Sequence, residues 1–367
     1  MALTGCGASD ESGKPSVDAG EHAGEACGDG AVGDPADLSA DRVPTRCEPG
    51  LPGAKPLEAR ATVKIATAAR GEFIAPLLLA EANGEFEREN LDVEIVDLPF
   101  ADAITQVQTG NLDATTGTPE AGFFNAVNGD IELTWVAGNF SPPDAGDAEV
   151  PQTGLWAHKD LFSDPEAPDL SELAGTSFAS GVGFTSITTY PIAEAAEAAG
   201  LGLDDVEVVQ IPTTEQVAAL QNGAVESAWL VDPFWQEIAE DDDFTLVATQ
   251  PAGEPLGGFF FGPRLVDEDP EVGIAFTRAI IRTINTYLAD DYQDDDEVVA
   301  AIAEQTGLPE EAIVDTPALD FDWEIRQGTT DRLQQAFIEQ GTVDFASPIE
   351  ESRVVDRTFY ERAVTGE

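Results

Sequence analysis

Lysine is almost missing from this chain: only Lys14, Lys55, Lys64 and Lys159 occur in 367 residues. In all, 17 basic residues stand against 71 acidic ones, a formal net charge of −54. A surface of that sign repels phosphate backbones and anionic headgroups, which excludes nucleic acid and bare lipid surfaces as partners. Histidine is nearly as scarce, with His22 and His158 alone, so a histidine-based metal centre and a Ser–His–Asp triad both lack their parts. No cysteine follows Cys47, which leaves the remaining chain without a thiol nucleophile. Long apolar runs are missing too. No stretch reaches the roughly 18 residues that a membrane-spanning helix needs.

What remains is ordinary for a folded protein. Hydrophobic residues make up 42% of the chain, and its length suits two domains or a two-lobed unit. A disordered acidic chain would lack periodic apolar segments, so the charge reads as adaptation to high salt, where screening removes most self-repulsion. At the start, Leu3-Thr4-Gly5-Cys6 resembles the lipobox of bacterial lipoproteins, with Cys6 as the lipidated residue; the basic and apolar segments that should precede it are missing. Residues 7–60 are rich in Gly, Ala, Asp, Ser and Pro, and read as a disordered acidic tether. Cys27 and Cys47 fall inside it and either pair or stay as thiols. Pairing would close a small loop, worth about 3 kcal/mol in chain entropy.

Regular patterning begins at Ala61. "TVKIAT" reads as a buried strand, and "GEFIAPLLLAEANGEFE" (71–87) as a polar loop followed by a short helix. Pro76 suits the first turn of that helix and Gly84 its left-handed stop. Strands then alternate with helices, which means βαβ units and a mainly parallel sheet. The unit is written twice. "VEIVDLPFADAITQVQTGNLDA" (93–114) matches "VEVVQIPTTEQVAALQNGAVESA" (206–228) at a constant offset of 113, pairing Pro99 with Pro212, Gly110 with Gly223 and Asp113 with Glu226. Generic βαβ patterning aligns apolar positions at many offsets, but it does not also align prolines, glycines and acids.

The runs "APLLLAEANGEFERENLDVEIV", "QTGNLDATTGTPEAGFFNAV", "DLSELAGTSFASGVGFTSITTY" and "AAGLGLDDVEVVQIPTTEQVAALQNGAVESAWLVDPF" together resemble the solute-binding proteins of bacterial ABC importers. The nearest branch is the one serving nitrate, taurine, sulfonates and the pyrimidine precursor of thiamine. The resemblance implies an α/β fold of two Rossmann-like lobes with mainly parallel sheets, joined by a two-segment hinge: the type II periplasmic arrangement. It places lobe I at 61–145 with 252–367 and lobe II at 146–251, after the tether of residues 1–60. It further implies an extracytoplasmic monomer, held to the outer face of the membrane through Cys6, whose partners are a small-molecule ligand and a membrane permease.

In open α/β sheets, ligands collect at the carboxyl ends of strands, where helix N-termini point unpaired N–H groups into a crevice. The expected ligand contacts are therefore Glu72, Phe73, Thr118 and Glu120 from the first lobe, and Ser180, Gly183, Phe184, Thr185, Ser186, Asp232 and Trp235 from the second. Each polar member could equally serve as a helix cap. These loops hold acids and aromatic faces but only one cation, Arg70. That balance leans toward a flat nitrogen compound such as a pyrimidine, held by stacking and N–H donation. A sulfonate, taurine or nitrate anion bound by backbone N–H groups is the alternative. Trp323 could reach the crevice, though core packing suits it better, and His158 reads as structural. The eukaryotic enzymes of the pyrimidine branch carry a cysteine-rich motif, an active-site histidine and a cofactor lysine. From Ala61 onward this chain has no cysteine, one histidine and two lysines, Lys64 and Lys159, neither in a loop assigned to the cleft. No enzyme, cofactor or metal is therefore expected, and an enzyme on the same scaffold is the lesser alternative.

Overall fold

The computed structural model describes residues 22–28, 30–39, 42–68, 70–141, 152–180, 189–202, 205–231, 234–249, 257–289 and 291–366. Among the described residues, ten strands form two five-stranded sheets. The first contains β1 (Ala61–Thr67), β2 (Leu91–Asp97), β3 (Ala114–Gly117), β4 (Thr134–Gly138) and β10 (Gly258–Phe261), in the order β2-β1-β3-β10-β4. The second contains β5 (Gly154–His158), β6 (Ser177–Ser180), β7 (Glu207–Gln210), β8 (Ser227–Leu230) and β9 (Phe244–Ala248), in the order β7-β6-β8-β5-β9. In each, three strands pair in parallel, and one reversed strand, β10 or β5, sits between the third and the last. Four strands of five thus share a direction. The reversed one is the strand by which the chain enters that sheet from the other.

Helices fill the crossovers. In the first half these are α1 (Ala75–Ala82), α2 (Glu85–Arg88), α3 (Phe100–Gln108) and α4 (Ala121–Asn128), and in the second α5 (Thr189–Ala198) and α6 (Thr213–Gln221). After β10 the chain adds α7 (Pro270–Tyr287), α8 (Asp296–Thr306), α9 (Glu310–Val314), α10 (Thr329–Glu339) and α11 (Thr358–Thr365). α7 lies against α1, α2 and α11, so this part joins the first sheet, and α10 also reaches α5 of the second half. No described helix is long and apolar enough to cross a membrane.

Sequence explains the buried layers. "GFFF" in β10 is apolar without alternation because both faces of this central strand are covered. Phe260 packs against Phe100, Phe123 and Trp135 on one side, with centroids 5.0, 4.9 and 5.9 Å away. Phe259 and Phe261 meet Phe276 of α7 on the other. Each such ring contributes about 1.5–3 kcal/mol by burial. In the second sheet the period of two divides the core. Trp156, Ala179, Ala228 and Leu230 join one cluster, and Leu155, Ala157, Phe178 and Trp229 the other.

The tether expectation fails for the described part of residues 22–60, which is packed onto the first lobe. Cys27 and Cys47 form a disulfide, and Cys27, Ala31, Leu51 and Ala54 are buried. The backbone of this segment is held by groups far along the chain: Cys27 N–H donates to the Val364 carbonyl, and Cys47 N–H to Asn285 Oδ1. Arg282, fully buried, donates to the Pro52 carbonyl, to Glu85 and to Glu89. Composition hides this because the segment is bound by hydrogen bonds and buried charge instead of an apolar stripe. Cys6 lies outside the described residues, as do 142–151 and 250–256, which contain most of the two expected crossings.

Candidate functional site: the facing strand tips

Both crossings join the same kind of edge. One leaves the carboxyl end of β4 at Gly138 and enters β5 at Gly154; the other leaves β9 at Ala248 and enters β10 at Gly258. Gly154 pairs with Leu230 at the end of β8, and Gly258 with Gly117 and Gly138 at the ends of β3 and β4. Ten residues from Ala248 to Gly258 can span at most about 35 Å, so the two carboxyl edges are tied near one another.

On the first lobe this edge is built from four strand tips. β1 ends at Thr67, and the chain then forms a 3-10 turn, Glu72–Ile74, before α1. Pro76 stands in the first turn of that helix, and Gly84 after it takes φ 73°. The Tyr292 phenol donates to Glu72 Oε1 at 2.6 Å, and its oxygen accepts Leu319 N–H at 3.0 Å. Burial first, and then the Glu72 charge, push the Tyr292 hydroxyl far above its usual range, which keeps it a donor. Phe73 is 38% exposed, with its ring 6.1 Å from Phe140. Asn139 Nδ2 donates to the Phe73 carbonyl, tying the β4 tip to the turn.

The remaining tips converge beside it. A Cβ on Gly257 would sit 2.9 Å from the Gly117 carbonyl and 3.7 Å from both Thr118 and Phe140, so backbone and side chains meet closely here. Thr118 is half-buried, and its carbonyl accepts Glu120 N–H at 2.8 Å. Glu120 occupies the N-cap of α4 without bonding it through its side chain. Burial raises its carboxyl above the usual carboxylate range. At this edge two buried oxygens, Asn139 Oδ1 and Ser141 Oγ, lack a hydrogen-bond partner among the described residues. The first-lobe wall therefore offers carboxyls, hydroxyls, an amide oxygen and two aromatic rings. Arg70, the expected cation, is exposed and paired with Asp97.

On the second lobe Ser180 ends β6 and is buried, and its carbonyl accepts Ile211 N–H. Gly183, Phe184, Thr185, Ser186 and Asp232 lie outside the described residues. Trp235 is corrected. It is only 4% exposed and packs in the core with Trp156, Leu230 and Ile238, so it is not an open stacking face. Trp323 is fully buried beneath Arg46, and His158 bonds the Leu220 carbonyl through Nε2 while its ring meets Phe244. Sequence reasoning missed Asn139, Phe140 and Ser141, although the rule of strand carboxyl ends, applied to β4, would have reached them. Tyr292 and Leu319 carried no such signal, since they arrive from an addition outside the repeat. A separate hollow of about 370 Å³, lined by Glu132, Phe261 and Arg353 among others, lies at the opposite edge of the first sheet.

Residues 154–303 match the NMT1-like family. No curated protein matches by sequence. Among solved structures, the periplasmic aliphatic sulphonate binding protein of Escherichia coli is similar at TM-score 0.59 and 16% identity, covering 81% of this chain and 92% of that one. The periplasmic nitrate-binding protein of Synechocystis PCC 6803 gives TM-score 0.56 at 14% identity, with 84% and 89% covered. A Candida albicans gene product described as having the generic periplasmic binding protein fold gives 0.55 at 16%, with 81% and 96% covered. The chain has the two-lobed fold of the periplasmic binding proteins, and its middle segment matches the NMT1-like family.

Proposed function

We propose that this protein is an extracytoplasmic solute-binding protein, a monomer that captures a small molecule between its lobes and delivers it to an ABC permease. The carrying observation is that both crossings tie the carboxyl edges of the two sheets together, with polar groups and aromatic rings gathered on the first of those edges. Ligand contacts with both edges would favour a closed state over an open one. The lobes divide at 61–145 with 252–367 and at 146–251, and lipidation of Cys6 holds the molecule at the outer face of the membrane, in a high-salt habitat that the acidic composition suits.

The preferred ligand class is a flat, nitrogen-bearing solute such as a pyrimidine. Glu72, Glu120 and the Asn139 oxygen accept N–H groups, while Phe73 and Phe140 offer faces for stacking. Among the described residues Thr118 and Ser180 complete the proposed contacts, and Gly183, Phe184, Thr185, Ser186 and Asp232 are proposed as further ligand contacts from the second lobe. A sulfonate or nitrate anion is the second reading, favoured by the ligands named for the similar Escherichia coli and Synechocystis structures. Against it, an anion at the start of α4 would meet the Glu120 carboxyl.

A thermal-shift screen in molar salt separates the two, since a ligand that binds only the native state raises its melting point. Pyrimidines and small amines should stabilise the protein, and nitrate, taurine and alkanesulfonates should not. Stabilisation by the anions alone would reverse the ligand assignment. No shift with any class would count against solute capture itself.

A further inference from the structure

The segment ahead of the two lobes reaches the hinge side of the site. Its disulfide joins Cys27 to Cys47, 20 residues apart, and the loop so closed inserts Arg42 into the first lobe with its side chain only 5% exposed. Arg42 Nη1 donates to Asp322 Oδ2 at 2.8 Å and Nη2 to Glu324 Oε2 at 2.6 Å. Thr45 Oγ1 and the Gly33 N–H also donate to Glu324, and Gln327 N–H donates to the Pro35 carbonyl. Arg326 bonds both acids as well, so two arginines balance two buried carboxylates. Without Arg42, one of those charges would stay buried and uncompensated.

Those two acids sit in the strip that holds the first crossing. Trp323 O accepts Gly138 N–H at 2.8 Å, Asp320 O accepts Ser141 N–H at 2.8 Å, and Asp320 N–H returns to Ser141 O at 3.2 Å. Contact is so close that a Cβ on Gly138 would lie 2.6 Å from the Asp322 carbonyl. One residue before the strip, Leu319 N–H bonds Tyr292, which holds Glu72. A path of bonds therefore runs from Arg42 through Asp322 and Glu324 to the β4 tip on one side and the Glu72 turn on the other.

We infer that the disulfide-closed N-terminal loop is a clamp on the hinge, and that Arg42 is a positioning residue that fixes residues 138–141 and 319–323 for closure. The functional consequence rests on the solute-binding reading, but the clamp itself does not. Holding Arg42 in place requires the loop to stay closed, so the geometry of the crossing depends on an oxidised Cys27–Cys47 pair.

Hydrogen–deuterium exchange on the full chain tests this without any ligand. In Arg42→Ala, and separately in Cys27→Ser/Cys47→Ser, the amides of Gly138, Ser141 and Asp320 should exchange about tenfold faster or more, while Glu207 and Ile211 in the second sheet keep their rates. Arg42→Lys, which keeps the charge but loses the two-pronged donor, should fall between. Unaltered exchange at 138–141 and 319–322 in folded protein, with acceleration confined to the loop's own Gly33 and Cys47 amides, would overturn the clamp. If the cysteine variant does not fold, mild reduction of the folded wild type gives the same comparison, with far-UV circular dichroism as the control. A negative ligand screen with accelerated crossing amides would sink the solute reading and leave the clamp standing.

Discussion

The two halves agree in detail up to one point and then part. At the offset of 113, α3 (Phe100–Gln108) falls residue for residue on α6 (Thr213–Gln221), and β3 falls on β8. Pro99 and Pro212 precede the helices with φ −55° and −52°, and Gly110 and Gly223 follow them at φ 72° each. Asp113 and Glu226 repeat a bond as well as a position. Each carboxylate accepts a backbone N–H from the neighbouring parallel strand, Lys64 of β1 or Ser177 of β6. Divergence begins after β3 and β8. Where the first half builds α4, the second has only the 3-10 turn Phe234–Glu237, and Trp235 stands where the first has Gly122. An eight-residue helix presents its N-terminus at the cleft edge; the short turn instead folds its indole into the core. The repeat supplies two matched sheets joined through their carboxyl edges, and the departures from it give those edges different chemistry.

The sharpest way to break that contrast is Trp235→Ala. As a buried core residue it should lose about 3–5 kcal/mol of stability, confined to the second half, as read by urea denaturation. A variant that keeps wild-type stability would mean that the indole packs nothing, and would return it to the set of ligand contacts.

The fold was legible where each residue's signal is local: prolines before helices, glycines after them, and a period of two in strands are fixed by backbone chemistry within a few positions. Of the proposed site, the positions on the first lobe were legible. Glu72, Phe73, Thr118 and Glu120 do lie at strand tips, because the rule for parallel sheets needs only strand order. Trp235 misled because a turn proline and an aromatic look alike in sequence whether the following helix forms or not. The N-terminal segment misled for another reason. Its anchors, among them Arg42 to Asp322, join residues 280 apart, and such pairings leave no periodic trace. Buried arginines escape a reading of charge from composition. Arg42, Arg278, Arg282 and Arg326 have side chains 5% exposed or less and pair with buried Asp322, Glu324, Glu85 and Glu89. Part of a small basic complement thus lies inside and balances acids there instead of on the surface.

A smaller effect sharpens the difference between the walls. Tyr292→Phe removes the donor to Glu72 and the acceptor of Leu319 N–H, and should lower stability by about 1–2 kcal/mol. If Glu72 contacts the solute, affinity for the stabilising ligand of the thermal-shift screen should fall too, since the carboxylate is then free to turn. Loss of stability with unchanged affinity would remove Glu72 from the wall while leaving the fold as described.

The smallest effect has opposite signs in the two halves. Glu226 is held below the usual carboxylate range by its bonds from the Ser177 hydroxyl and N–H. Its unfolded form binds a proton more readily, so its contribution is present above the ordinary glutamate pKa and is lost as pH falls toward the depressed one. Glu120, raised by burial, works the other way. Between the ordinary pKa and its raised value the folded state holds more protons, so its share of stability is greatest at low pH and declines as pH rises through that window. Urea midpoints between about pH 3 and 7 should therefore show Glu226→Gln losing part of the acid-side fall and Glu120→Gln losing part of the decline at higher pH. Equal pH profiles in the two variants would mean that Glu120 is not raised by burial, and would remove the electrostatic part of the contrast between the scaffold acid and the acid at the start of α4.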